Sequence, residues 1–172
     1  MKTVVVGPRP PEIEALIERR RALGQDRFDE VWDGDYHMNP VPHVWHGYVD
    51  AKIASLLLPY AEAANLIAIT QVNIGLPGNF RAPDGAYLRT LPDAVWLPTA
   101  AIVVEVLSPD DETWEKLPFY FQHRVDEICV ADPRARTVQW FVRGADAFVE
   151  ADASPLLGVA VAALAAQIAW PG

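Results

Sequence analysis

The chain has 172 residues, and 51% of them are hydrophobic. A chain of this length can bury about 70% of its unfolded surface, so its length and composition favour one globular domain and exclude general disorder. The formal net charge of −9 argues against tight, sequence-independent binding of duplex nucleic acid, because such binding uses a basic protein face.

Features that would direct the chain to a membrane or to an oxidising compartment are weak. The single cysteine, Cys129, cannot form an internal disulfide. The apolar stretch at the N-terminus is too short for the core of a signal peptide, and the stretch from Leu156 to Trp170 is shorter than the ~20 residues that a membrane-spanning helix needs. We therefore expect a cytoplasmic protein with no membrane partner.

The first half of the chain contains clear start, stop and turn signals. Proline at the start, acidic residues early, basic residues late and glycine after the end favour an N-terminal helix, and Asp33-Gly34 is typical of a type I′ hairpin turn. These signals and the apolar periodicity predict helices at Pro11 to Leu23 and Pro42 to Tyr60, and Pro59 would kink or end the second helix. They also predict a hairpin at Phe28 to Met38, a strand at Leu66 to Ile74 and a turn at Gly75 to Asn79.

The second half predicts mainly strands. One helix, for which Ser108 or Asp110 could serve as N-cap, separates two groups of strands, and a small apolar element ends the chain. The predicted strands and helix are Pro83 to Arg89, Ala100 to Leu107, the helix Glu112 to Arg124, Asp126 to Ala131, Thr137 to Val142 and Ala147 to Glu150. This order predicts an α/β (α+β) fold with one mixed β-sheet flanked by helices, in a single domain over 1–172.

One acidic residue interrupts the most apolar of these strands. The run Ala100 to Leu107 is aliphatic except for Glu105, which is typical of a strand buried on both faces of a sheet. A carboxylate buried there costs several kcal/mol unless it is paired, protonated or bound to a metal. Glu105 is therefore a candidate metal ligand, and the alternative is an ion pair with Arg81 or Arg89.

A second acid, Asp84, lies 21 positions before Glu105, at the start of the preceding predicted strand. If the two strands pair, their carboxylates can converge and share a divalent cation through hard oxygen ligands, as Mg²⁺ prefers. The alternative is that Asp84 is a turn residue, because Pro83-Asp84-Gly85 is itself a turn signal.

Lys116 follows on the next predicted helix. An amine beside the two acids could hold or deprotonate an attacking water and balance charge in a transition state. Its spacing from Glu112 also fits an exposed i,i+4 salt bridge, which would contribute little.

Other polar residues are weaker candidates. His43 and His46 share one helical face, but no further histidine or cysteine completes a metal site, so capping or packing roles are expected. The hairpin acids Glu30, Asp33 and Asp35 are expected to be solvated, although one of them could reach the cation as a third acid.

Several short motifs occur in a specific order along the chain. They are Phe28 to Gly34, His46-Gly47, Pro83-Asp84, Val104 to Pro109, Lys116, Tyr120, Val125 to Glu127, Val130 to Pro133, Leu157 to Val159 and Trp170-Pro171. In this order they resemble the Uma family of restriction-endonuclease-like proteins. The resemblance covers a core over 26–172, which a helical segment over 1–25 precedes. It implies the fold of the P-D…(D/E)-x-K nuclease superfamily, often with two copies paired as a homodimer.

The resemblance also implies roles for single residues. Asp84 and Glu105 match the two metal-binding acids of the superfamily. Its lysine normally lies two residues after the second acid, where this chain has Leu107, and Lys116 matches the helical lysine of Uma-type sequences. The expected activity is therefore Mg²⁺- or Mn²⁺-dependent hydrolysis of phosphodiester bonds in DNA. The alternatives are a catalytically silent interaction domain and a phosphoesterase that acts on a smaller substrate.

Overall fold

A computed structural model describes residues 3–109 and 112–171. Its four helices are α1 Pro11–Ala22, α2 Val44–Ala63, α3 Thr113–Gln122 and α4 Val161–Gln167. The first three occupy the predicted positions, and α2 continues through Pro59 instead of ending there. The expected cap at Asp110 lies outside the described residues. Within those residues, no helix is long and apolar enough to cross a membrane.

Short strands make up most of the rest of the chain. In chain order they are β1 Thr3–Val5, β2 Glu30–Trp32, β3 Asp35–Met38, β4 Ile67–Thr70, β5 Asn73–Leu76, β6 Asn79–Arg81, β7 Gly85–Leu88, β8 Trp96–Leu97, β9 Ile102–Val106, β10 Glu127–Asp132, β11 Thr137–Arg143, β12 Phe148–Ala151, β13 Ala153–Ser154 and β14 Val159–Ala160.

These strands form two six-stranded sheets and one two-stranded sheet, where the sequence predicted one mixed sheet. The first, here called the hairpin sheet, has the order β1-β3-β2-β6-β5-β8. The second, here called the central sheet, has the order β12-β11-β10-β9-β7-β4 and is mixed, because β9 and β10 run parallel while its other pairs are antiparallel. The mixed α+β class was therefore predicted correctly, and the number of sheets was not.

The region predicted as one strand over 66–74 explains this difference. It contains two strands, β4 in the central sheet and β5 in the hairpin sheet. Gln71 between them has a left-handed φ of 57°, which ends the extended conformation and lets the chain pass from one sheet to the other. The turn predicted at 75–79 contains the end of β5 and the start of β6, which pair with each other.

The central sheet is covered on both faces. On one face, α2 packs against β9 and α4 packs against β11, in a core cluster that includes Ile102, Val104 and Val106. On the other face, Val103 of β9 belongs to the same core cluster as Phe119 and Tyr120 of α3. Because side chains alternate along a strand, Glu105 points to the same face as Val103, towards α3. Asp84 lies just before β7, at the end of the neighbouring strand. This arrangement brings the candidate residues to the space between the two sheets and α3.

Candidate active site

The pairing of β7 with β9 brings the two predicted acids together. The strands are antiparallel, and Gly85 lies opposite Val104. Asp84 therefore reaches the next part of β9, where its Oδ2 accepts a hydrogen bond from the backbone N–H of Val106 at 2.7 Å. Asp84 and Glu105 line the same cavity, of about 290 Å³. The convergence that the spacing suggested is present, and Asp84 is more than a local turn residue.

Lys116 points into the same cavity from the first turns of α3. Its Nζ lies 3.2 and 3.3 Å from the two carboxylate oxygens of Glu105, and its side chain is 10% exposed. Among the described residues, the buried acid therefore pairs with Lys116 and with neither Arg81 nor Arg89. The alternative of an exposed salt bridge to Glu112 is wrong, because Lys116 is buried.

The site contains a third acid, Glu30 of β2, which the sequence placed in solvent. Its side chain is 1% exposed, and its Oε1 lies 2.9 Å from Lys116 Nζ. The same oxygen accepts a hydrogen bond from the backbone N–H of Ala82 at 2.8 Å. Its Oε2 accepts one from the indole N–H of Trp32 at 2.6 Å. The expectation that all three hairpin acids are solvated is thus wrong for Glu30, while Asp33 is exposed and Asp35 is half-buried.

The two histidines of α2 have different surroundings. His43 is the N-cap of α2 and accepts the backbone N–H of Trp45, as expected for a capping role. His46 is buried, with Nε2 2.8 Å from Asp84 Oδ1 and Nδ1 2.9 Å from Ser108 Oγ. Asp84 is consequently held through one oxygen by a side chain of α2 and through the other by the backbone of β9. The histidine spacing pointed to one helical face but gave no sign of this partner.

Burial and the excess of acids perturb the protonation of the site. Burial raises the pKa of Glu105 to about 8; Lys116 opposes this shift, and the nearby Asp84 and Glu30 add to it. Burial alone would lower the pKa of Lys116, but the charges of Glu105 and Glu30 outweigh it and raise that pKa above its usual 10.5. Tyr120 also donates its hydroxyl to Glu105 Oε1 at 2.5 Å. Lys116 therefore remains an ammonium at neutral pH, while Glu105 releases its proton only above its normal range.

The donor chemistry of the site fits a hard divalent cation. A carboxylate has about four acceptor positions, of which the contacts described above use two on Asp84 and three on Glu105, so each acid retains room for a further ligand. Over 3–109 and 112–171, no group of three or more His, Cys, Asp or Glu side chains is arranged to hold a metal ion. Two carboxylates with water completing the shell suit Mg²⁺, which dehydrates reluctantly and is often bound by one or two carboxylates.

Comparisons with known proteins agree with this fold. A solved structure described as a "putative nuclease belonging to DUF820", from Anabaena variabilis, is similar to the chain with a TM-score of 0.63 and 14% sequence identity. The match covers 81% of this chain and 90% of that one. No curated protein matches the chain.

A family model gives the more specific result. The model of the Uma2 family, described as "Putative restriction endonuclease", matches residues 14–167. This span includes most of α1, the whole of α2, α3 and α4, and the acids and lysine of the site, and it confirms the resemblance found in the sequence motifs. The chain therefore belongs to the Uma2 family.

Proposed function

We propose that this protein is a divalent-metal-dependent nuclease that hydrolyses phosphodiester bonds in DNA, with its active site at Asp84, Glu105 and Lys116. The observation that supports the proposal most directly is that two acids, Asp84 and Glu105, and Lys116 line one cavity. Membership of a family described as restriction endonucleases supports a nuclease-like function more generally.

Asp84 and Glu105 would hold the cation, Mg²⁺ or Mn²⁺. When bound, such an ion polarises the scissile phosphate and lowers the pKa of its water. The chain's contribution is to fix the ligands, since His46 and the Val106 backbone orient Asp84, and Tyr120 orients Glu105.

Lys116 would orient the attacking water and stabilise the charge that develops on the phosphate. Its raised pKa argues against a role as general base at neutral pH, because a base must first lose its proton. Of the two roles that the sequence left open for this lysine, holding the water is the one we propose.

The charge of the protein bears on the substrate. A net charge of −9 repels a polyanion at long range, so we expect weak binding of long duplex DNA, and added salt should screen this repulsion. The same charge and the small cavity favour the second candidate, a phosphoesterase acting on a smaller phosphodiester. The third candidate, a catalytically silent interaction domain, would bind without cleaving either substrate.

Nicking of supercoiled plasmid DNA tests the proposal. The purified protein is incubated with Mg²⁺, Mn²⁺ or EDTA, and bis(4-nitrophenyl) phosphate is assayed in parallel as a small phosphodiester. We expect metal-dependent nicking that Glu105→Gln abolishes and that Glu150→Gln, an exposed glutamate of β12, leaves unchanged.

The outcomes separate the three candidates. Hydrolysis of the small ester without nicking would support the phosphoesterase, and no hydrolysis of either substrate would support the silent domain. Nicking by Glu105→Gln at the parent's rate would reject the proposed site. Pairing of two copies is part of the nuclease proposal, and sedimentation velocity of the purified protein tests it directly.

A further inference from the structure

We infer that Glu30 is a positioning residue that keeps the Lys116 ammonium in the active site when Glu105 turns to another partner such as a metal ion. The cation-binding part of this inference rests on the proposed function. The fixing of Lys116 by Glu30 follows from the geometry alone.

Glu30 is the closer and the more firmly fixed of the two acids at Lys116. Lys116 Nζ lies 2.9 Å from Glu30, compared with 3.2 and 3.3 Å from the oxygens of Glu105. The Glu30 carboxylate also accepts hydrogen bonds from Ala82 and Trp32, on two further segments of the chain. These bonds leave Glu30 in place if its neighbour Glu105 is taken away from the lysine.

A column of stacked planar groups fixes the indole that binds Glu30. Trp32 stacks on His37 with ring centroids 4.5 Å apart and an angle of 17°. The guanidinium of Arg81 lies over the Trp32 ring at 4.1 Å and over the ring of Phe119 at 4.0 Å. Stacking of this kind is stronger in a desolvated setting, and Arg81 is 4% exposed.

This column joins the hairpin sheet to the helix that carries the lysine. Phe119 lies on α3 three residues after Lys116, which is almost one helical turn. At the N-terminal end of the same helix, Glu112 Oε2 lies 3.1 Å from His37 Nδ1. The hairpin sheet therefore contacts α3 on both sides of Lys116, which sets the distance between Glu30 and the ammonium.

Glu30 and Glu105 therefore have different roles at Lys116. A cation that binds Glu105 competes with Lys116 for the same oxygens, because both are positive charges on one carboxylate. With Glu30 present, the ammonium keeps a buried partner and stays beside the reacting groups. Without Glu30, Lys116 would remain paired with Glu105 and oppose cation binding.

Lysine ammonium NMR tests which acid holds Lys116. The chain has three lysines, Lys2, Lys52 and Lys116, so ¹⁵N-lysine labelling gives a simple spectrum. A buried, hydrogen-bonded ammonium exchanges its protons slowly with water and gives a visible signal, while an exposed ammonium does not. Glu105→Gln takes the ionisable carboxyl group of Glu105 away from the lysine without any metal. We expect the Lys116 signal to persist in this variant and to disappear in the Glu30→Gln/Glu105→Gln double variant.

Controls make each outcome decisive. The Glu105→Gln/Glu150→Gln variant carries the same number of substitutions and should keep the signal, because Glu150 is exposed on β12. Loss of the signal in Glu105→Gln alone would overturn the inference, as would its absence from the parent protein or its survival in the double variant. If the double variant does not fold, Trp32→Phe removes the indole donor but leaves the acids intact, and it should accelerate ammonium exchange measurably.

Calorimetric titration with Mg²⁺ separates this inference from the proposed function. The parent should bind Mg²⁺, and Glu30→Gln should weaken binding by about tenfold, as typical for loss of a residue that supports a metal ligand. The exposed hairpin acid provides the matched control Asp33→Asn, which should change the affinity less than twofold. Parental affinity in Glu30→Gln would overturn the cation-binding part. A parent that binds no Mg²⁺, with ammonium signals that still depend on Glu30, would reject the nuclease proposal and leave the position of Lys116 established.

Discussion

Replacing Lys116 with methionine tests the electrostatic balance of the site most directly. The substitution keeps an unbranched chain of similar length and removes the positive charge. It leaves Glu30 and Glu105 facing each other with side chains that are 1% and 4% exposed. Two buried carboxylates without a cation repel each other and lose hydration, so Lys116→Met should destabilise the fold strongly.

The expected loss at neutral pH is about 3–5 kcal/mol in the free energy of unfolding, the range found when one partner of a buried ion pair is removed. For a domain of this size, each kcal/mol lowers the melting temperature by about 2–4 °C. The variant should therefore melt about 6–20 °C below the parent. The loss in stability should lie at the lower end of this range if Glu30 or Glu105 binds a proton, because the proton relieves the repulsion.

The loss should depend on pH in a definite direction. The pKa of Glu105 is already raised above its ordinary value of 4.5, and removal of Lys116 raises it further. The folded variant then binds protons that the unfolded chain releases, so its stability falls as the pH rises through this window. The parent also keeps Glu105 protonated below about pH 8, so the stability gap between variant and parent should widen only above that pH, where Glu105 ionises in the parent but not in the variant.

Urea unfolding at pH 6 and pH 9.5, followed by tryptophan fluorescence, measures both quantities. Lys52→Met, at a half-buried position on α2, is the matched control and should change stability by about 0.5 kcal/mol or less. A loss below about 1 kcal/mol for Lys116→Met, equal at both pH values, would refute the reasoning, since an exposed salt bridge behaves in that way.

Three further predictions concern positions outside this pair. Burial raises the pKa of Asp50 to about 6, so its charge opposes folding above that pH. After allowance for solvent screening, Asp50→Asn should therefore stabilise the protein by about 1–2 kcal/mol at pH 8 and by almost nothing at pH 4. Urea unfolding at the two pH values measures this, and equal gains at both would contradict the prediction. Gly75 has a φ of 122°, and a Cβ there would lie 2.3 Å from a backbone oxygen. Gly75→Ala should therefore lower the free energy of unfolding by more than about 2 kcal/mol in thermal melts. The control Gly78→Ala, where the space around the Cβ is open, should show only a small change. Trp140 donates its indole N–H to buried Glu127 at 2.8 Å, so Trp140→Phe should cost about 1–3 kcal/mol in a urea titration, and a neutral result would show that this bond contributes nothing.

Most elements could be predicted from the sequence because their signals are local. Helices α1, α2 and α3 and strands β10 to β12 begin and end within a few residues of the patterns that indicated them. The switch between sheets after β4 could not be predicted, because it depends on one residue, Gln71, in a conformation that glutamine seldom adopts. Strands as short as β1, β8 and β13 have too few residues to show a pattern of their own.

The residues of the candidate site also differ in whether the sequence alone could predict them. Glu105 was found because a charge inside an apolar strand is anomalous in the sequence itself, and Asp84 was found because strand order brought it near. Glu30 was missed because its burial depends on contacts with Ala82, 52 positions away, and with a lysine on another element. His46 was assigned to packing because its partner Asp84 lies 38 positions further along the chain.

The sequence by itself determined which segments form helices and strands, the class of the fold and the presence of a buried acid that needed a partner. Those properties follow from side-chain periodicity and desolvation, which act on each segment separately. Only the tertiary structure decided that two sheets close around the acid, that Lys116 is shared by two carboxylates, and that His46 holds the third. Such pairings depend on the distances between elements that pack together, and the spacing of residues along the chain does not encode those distances.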